Sequence, residues 1–311
     1  MRNAFVRRLT EIAATNPDII LVTGDLGFGV LTKFAERFPG QFLNAGVAEQ
    51  NMTGLATGLA LNGKTIFTYS IANFPTLRCL EQLRNDVCYH NANVKVVAVG
   101  GGFSYGALGI SHHATEDIAI LRALPEITVV VPGDPWEAAE ATAALAQTPG
   151  PAYLRLDKSA APDTHTPDEQ FAIGRARVIR NGNDVTLIAT GGILEVALNA
   201  AQRLATEKIE CRVVSMHTIK PIDRHAIYAA CEETAGIITL EEHTTYGGLG
   251  SAVAEVCMDE GLRPRVFRRL GLRAGFSSIV GDQHYLRSIY GIDEDAVIAA
   301  VSEAFQRDTI G

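Results

Sequence analysis

Basic charge is in short supply. Asp and Glu outnumber Lys and Arg by 35 to 27, a formal net charge of −8 over 311 residues. An acidic balance suits neither a nucleic acid nor an anionic lipid surface, and no DNA or RNA motif occurs. Cysteine is also sparse: Cys79, Cys88, Cys211, Cys231 and Cys257 are odd in number and contain no C-x-x-C spacing. That supports neither a disulfide framework nor a zinc site, and fits buried thiols in a reducing cytoplasm. No apolar run approaches a membrane span. The N-terminal stretch places Phe5, Leu9 and Ile12 on one helical face and carries Glu11, with no apolar segment of the signal-peptide kind. What remains, 47% hydrophobic and 20% charged residues, is ordinary for a globular protein long enough for two domains.

Short β-branched runs alternate with helical patterns. Ile19–Thr23, Thr65–Ser70, Val94–Val99 and Ile127–Val131 read as strands buried on both faces, with Ala48–Leu61 and Pro135–Gln147 as helices between them. A polar stretch at 158–170, with Pro162 and Pro167, reads as a linker. Val185–Thr190, Arg212–Met216, Ile237–Leu240 and Val266–Leu270 then repeat the alternation. The expectation is two doubly wound α/β domains with mostly parallel sheets, residues 1–165 and 166–311.

Three segments carry chemistry. The first, Asn44-Ala45-Gly46-Val47-Ala48-Glu49-Gln50-Asn51-Met52, opens a helix on a glutamate; Met52, Leu55, Ala56 and Leu59 form its apolar stripe, while Gly54 and Gly58 offer a close-contact face. By itself Glu49 is no more than an acid favoured by the helix dipole. The second is Tyr69-Ser70-Ile71-Ala72-Asn73-Phe74-Pro75, before a helix containing Arg78. The third is the glycine-rich loop from Gly100-Gly101-Gly102 to Ser111-His112-His113-Ala114, which follows a strand, where α/β sheets carry function.

Together with Val22-Thr23-Gly24-Asp25-Leu26 and Phe34-Ala35-Glu36-Arg37-Phe38-Pro39, these segments resemble the pyrimidine-binding domain of transketolase-like enzymes. Thr190-Gly191-Gly192 and Glu241-Glu242-His243 through Gly250 resemble their C-terminal domain, so the likeness covers about residues 1–305. It implies thiamine diphosphate as cofactor and two-carbon ketol transfer between a ketose and an aldose. Glu49 would contact the aminopyrimidine and activate the thiazolium, a task suited to a buried carboxylate. Phe74 and Ile71 would pack on the ring, Ile71 standing where an aromatic is usual, and Asp25 would belong to the cofactor site. His112 would contact the donor's oxygens, with His113 and Arg155 also near substrate. His243 reads as structural.

Departures qualify the likeness. Leu108 stands where an aspartate usually reads a sugar hydroxyl, Gly100 where a phosphate-contacting histidine is common, and His113 replaces a glutamine. These point to a substrate other than the usual sugar phosphates. The G-D-G metal motif is missing, so no metal ligand is assigned to this chain. Magnesium and the diphosphate would be held by a separate N-terminal subunit in an α2β2 assembly containing a self-dimer. Competing expectations are the β subunit of a 2-oxo acid dehydrogenase and a non-catalytic regulatory relative.

Overall fold

The computed structural model describes residues 1–273 and 275–308. Runs of Val, Ile and Leu too short for helices form most of the strands: β1 (Ile19–Thr23), β2 (Phe42–Asn44), β3 (Thr65–Ile71), β4 (Val94–Val99), β5 (Thr128–Val130), β6 (Ala152–Leu156), β7 (Arg177–Arg180), β8 (Val185–Ala189), β9 (Cys211–Ser215), β10 (Thr218–Lys220), β11 (Gly236–Thr244) and β12 (Val266–Leu272). They assemble into two sheets, β10-β5-β6-β4-β3-β1-β2 and β12-β11-β8-β9-β7. Within each sheet the pairing is parallel, except for the antiparallel edge strands β10 and β7. The class is two mostly parallel α/β units with helices on both faces.

The first sheet is covered on one face by the helices Arg2–Ala13 and Pro135–Gln147, which pack Phe5, Leu9, Ala138 and Leu145 against β1, β3, β4 and β6. On the other face lies the helix Glu49–Leu61. It buries Met52 and Ala56 as the stripe requires and stops at Asn62-Gly63, where Gly63 takes φ +86°. Leu55, Gly54 and Gly58 turn outward, so this face is open on the single chain. Strand β6, between β4 and β5, carries a charge, Arg155, within a run that is buried throughout, as β4 carries the buried Lys95.

The two units are not independent. Strand β10, from the second half of the chain, closes the β5 edge of the first sheet. One apolar cluster runs from Val22, Met52 and Val96 of the first unit to Ile188, Val214 and Val253 of the second. Burial continuous across both sheets makes separate unfolding unfavourable. Scanning calorimetry of the whole chain is therefore expected to show one cooperative transition, and a fragment ending at residue 165 to melt at a lower temperature or aggregate through its uncovered β5 edge. Two well-separated transitions in the intact chain would contradict this coupling.

Candidate active site

The carboxyl ends of the parallel strands β1, β2, β3 and β4 form one rim, and the chemistry-bearing segments all leave from it. Glu49 begins its helix just after β2 and is only 2% exposed. Gly24, beyond β1, lies against it; a Cβ there would stand 3.3 Å from Glu49 Cγ. Glu49 Oε2 accepts a hydrogen bond from Arg78 Nη1 at 2.7 Å. The same guanidinium lies over the Phe74 ring, 4.3 Å from its centroid. Phe74 in turn meets His112 edge-on, with centroids 5.2 Å apart. Three residues singled out from separate segments thus converge, and Arg78 ties two of them together. Nothing in the sequence marked Arg78 beyond its place one turn after Phe74.

Other residues of the rim have different parts. Ile71 ends β3, half-buried. Asp25 sits at φ +60° and holds a turn: its Oδ1 accepts from Asn44 Nδ2 at 2.8 Å, and its N–H donates to Asn44 Oδ1 at 3.1 Å. The Asn44 oxygen also takes the Gly46 N–H at 3.0 Å, so Asp25 braces the turn that leads into Glu49. His112 is half-buried, with Nδ1 3.0 Å from Ser111 Oγ; partial burial first, then the neighbouring His113, lowers its pKa below the ordinary value. Near neutral pH it is a neutral imidazole, able to donate to an oxygen that gains charge. His113 points the other way. It is fully buried, its Nε2 2.9 Å from the Gly106 carbonyl and its ring edge-on to Phe103. It shapes the loop and does not face the cluster around Phe74.

Two family models match the chain: the transketolase pyrimidine binding domain over residues 1–164 and the transketolase C-terminal domain over residues 174–297. The chain belongs to the transketolase family. It is 38% identical to one of the subunits of apulose-4-phosphate transketolase from Phocaeicola vulgatus, over 97% of this chain and 96% of that protein. It is 35% identical to a 6-deoxy-6-sulfo-D-fructose transketolase subunit of a Clostridium species, over 99% and 95%. A solved structure described as a split gene transketolase, an inactive beta4 tetramer, superposes with a TM-score of 0.88 at 38% identity, covering 98% of this chain and 97% of that one.

The arginine that the transketolase likeness assigns to a substrate's phosphate end, Arg155, lies instead at the joint between the two units. It is 2% exposed, and its donors are engaged: Nη1 to Asp117 at 3.4 Å, Nε to Asp157 at 3.3 Å and Nη2 to the Glu242 carbonyl at 3.0 Å. Central position in the sheet dictates this, because a guanidinium between layers must find acceptors there. The cation of this segment that reaches the rim is Lys158, three residues on, exposed and with Nζ 4.1 Å from the Tyr105 ring centroid. Tyr105 stands 6.1 Å from the His112 ring. Its own ring fills the space a side chain at Gly100 would need; a Cβ there would lie 2.2 Å from Tyr105 Cε2. Leu108 is 57% exposed on the same loop. Among the described residues no cluster of three or more His, Cys, Asp or Glu is placed to hold a metal, and no helix is long and apolar enough to cross a membrane.

His243, in the joint with Arg155, uses both ring nitrogens as a neutral imidazole: Nδ1–H donates to the Thr244 carbonyl at 2.7 Å and Nε2 accepts the Ala119 N–H at 3.3 Å. Burial pushes both His243 and the fully buried His217 down to about 4. A histidine whose folded pKa is lowered binds its proton in the unfolded chain first. Stability should therefore fall as pH drops from about 6.5 toward 4, by up to ~1.4 kcal/mol per pH unit for each ring. Glu241, raised by burial to about 7, acts in the opposite sense above its ordinary carboxyl range, so Glu241→Gln should steepen the acid loss. Urea unfolding of the wild type and Glu241→Gln at pH 5 and pH 6.5 checks both signs; a variant that loses no more stability than the wild type between the two values would count against the assignment.

Proposed function

We propose that this chain is the C-terminal subunit of a split transketolase: it supplies the aminopyrimidine side of a thiamine diphosphate site and handles the ketose donor. The observation that carries the reading is the buried carboxylate of Glu49 beside the Phe74 ring and His112, on one rim of a parallel sheet. The residues fit the cofactor's pyrimidine. Arg78 already makes the two contacts such a ring would need, a planar N–H group stacked on Phe74 and donating to Glu49. Arg78 is 46% exposed in its side chain and has room to swing aside. Members of the family are thiamine diphosphate enzymes.

When bound, thiamine diphosphate supplies a thiazolium carbon that can carry the two-carbon unit. The chain's own groups do the rest. Glu49, almost wholly buried, would share a proton with a ring nitrogen of the pyrimidine, an exchange that a low dielectric strengthens. Phe74 and Ile71 pack on the ring and Asp25 braces the turn that presents Glu49. His112, neutral, donates to the donor's oxygen. Lys158, held over Tyr105, meets an anionic end of the sugar; the names of two relatives put a phosphate and a sulfo group on their sugars. We assign diphosphate and magnesium to a separate chain, a reading that the naming of these relatives as subunits supports.

Glu49→Gln keeps the shape but offers no carboxylate, and turnover of the assembled enzyme should fall by about 10²–10⁴-fold. Exchange of the thiazolium proton with deuterium should slow with it. His112→Ala should lower donor turnover while leaving that exchange intact. Wild-type exchange in Glu49→Gln would overturn the assignment, and vigorous ketol transfer by the isolated chain would remove the need for a partner.

Lys158→Met is a second test. It should raise KM for a phosphorylated or sulfonated ketose about tenfold, the scale of one charge-assisted hydrogen bond, and leave an uncharged ketose unaffected. An equal change for both sugars would show that Lys158 does not read the anionic end.

A further inference from the structure

The loop that carries His112 is held mainly by the second unit. Phe103 N–H donates to Glu242 Oε2 at 2.9 Å, and the Phe103 ring stacks on Tyr290 at 5.3 Å. Gly102, at φ +58°, lies so close that a Cβ would meet the Glu242 carboxylate at 2.2 Å. Gly106 is pressed on the Gly281 carbonyl and Leu286, where a Cβ would find 2.5 and 2.6 Å. From the other side, Gln283 Nε2 donates to the same Glu242 Oε2 at 2.7 Å, and Arg287 Nε donates to Oε1 at 2.6 Å. Both donors belong to the short helix Gln283–Ile289. Glu242 is 2% exposed, so each of its oxygens must be matched by donors of the protein.

The loop then closes on itself around His112. Gly102 and Ala114 form an isolated antiparallel bridge, 2.9 Å from Gly102 N to Ala114 O and 3.0 Å in return. His113 fastens to the Gly106 carbonyl, and Asn73 Nδ2, next to Phe74, donates to the His113 carbonyl at 2.8 Å. Displacing Phe103 would therefore shift Gly102, Ala114 and the backbone of His112 and His113 together. Glu49 and Phe74 are attached to other strands and would stay.

We infer that Glu242, in the C-terminal domain, is a positioning residue for His112: by fixing Phe103 N–H between Gln283 and Arg287 it sets where the donor-side imidazole stands against Phe74. This gives the C-terminal domain a part in donor handling, and it rests on the reading of His112 given above. Glu242→Gln keeps the volume but must turn an NH2 toward either Arg287 or the Phe103 and Gln283 donors, because an amide has one acceptor oxygen. Gln283→Ala removes one donor at the half-buried end of the network and leaves no buried charge alone.

Amide hydrogen exchange on the isolated chain tests the structural step without any chemistry. Residues 101–114 should exchange about tenfold faster in Glu242→Gln and a few-fold faster in Gln283→Ala, while residues 49–61 keep wild-type protection. In the enzyme assembled with its diphosphate-binding subunit, kcat/KM for the donor should fall about tenfold in Glu242→Gln. Thiazolium proton exchange, which reports Glu49, should stay at the wild-type rate. If Glu242→Gln does not fold, Gln283→Ala decides, through the same two readouts. Unchanged exchange of 101–114 in the variants overturns the proposal, as does a loosened loop with undiminished donor turnover. Parallel loss of thiazolium exchange would also overturn it, by showing a general structural defect. Failure of the proposed function would look different: His112→Ala would then leave wild-type donor turnover intact even though the loop loosens in Glu242→Gln.

Discussion

A carboxylate or guanidinium taken out of water needs a partner within reach, and in this molecule the partners are reached across the glycine-rich loop. Side chains at Gly101 and Gly102 would collide with Arg155, Asp157 and Glu242, and one at Gly100 with Tyr105. Gly101 and Gly102 therefore bring the loop backbone onto a layer of buried charge. Arg155 joins Asp117, Asp157 and the Glu242 backbone, and Arg287 neutralises the Glu242 carboxylate. Such pairs contribute little net stability against apolar replacements, but breaking one leaves a lone buried charge, typically at a cost of about 3–5 kcal/mol. Their effect is to permit one docking of the second unit on the first, and so one path for the loop that ends at His112.

Much of this was readable in the chain. Runs such as Ile19–Thr23 and Val94–Val99 are apolar because both faces of their strands are covered, and the structure makes them β1 and β4. The convergence of Glu49, Phe74 and His112 follows from their shared origin at the carboxyl ends of parallel strands. The failures have one cause: linear position does not say where a side chain points. His112 and His113 are adjacent, yet one faces Phe74 and the other is sealed against Phe103. Arg155 lies in a family motif, but on β6, between β4 and β5, its side chain can only enter the protein. The alternation Tyr153, Arg155, Asp157 was the available signal, since three polar groups two apart share one face of a strand. Lys158 is out of phase with that alternation and reaches solvent.

Arg78 shows a second limit. Its partner Glu49 is 29 residues away, on a different element, and no periodicity connects them. Only the fold brings the turn after Phe74 over the start of the Glu49 helix. The same holds for strand β10, three residues long and from the second half of the chain, which completes the first sheet. Local pattern identifies elements that bury their own apolar stripe; it is silent on pieces whose only purpose is to finish another element's edge.

The rim also divides its residues by polarity. The groups aimed inward are Glu49, His112 and the polar end of Arg78. Several of those turned outward from the same strand ends are apolar: Phe28 after β1 is 80% exposed, Val47 after β2 is 76%, and Leu108 and Ile110 after β4 are 57% and 48%. Single exposed apolar residues are ordinary, but several gathered around a cluster of reactive groups are unfavourable in water unless something covers them. A substrate of sugar size carries too little apolar surface to do so. On the proposed reading a second protein chain would do so, and closing it over the rim would withdraw water from the space beside Phe74 and His112, where a low dielectric favours the proton exchange assigned to Glu49. On that reading, assembly and activation would be one physical event: the surface that joins the two chains would be the surface that dries the site.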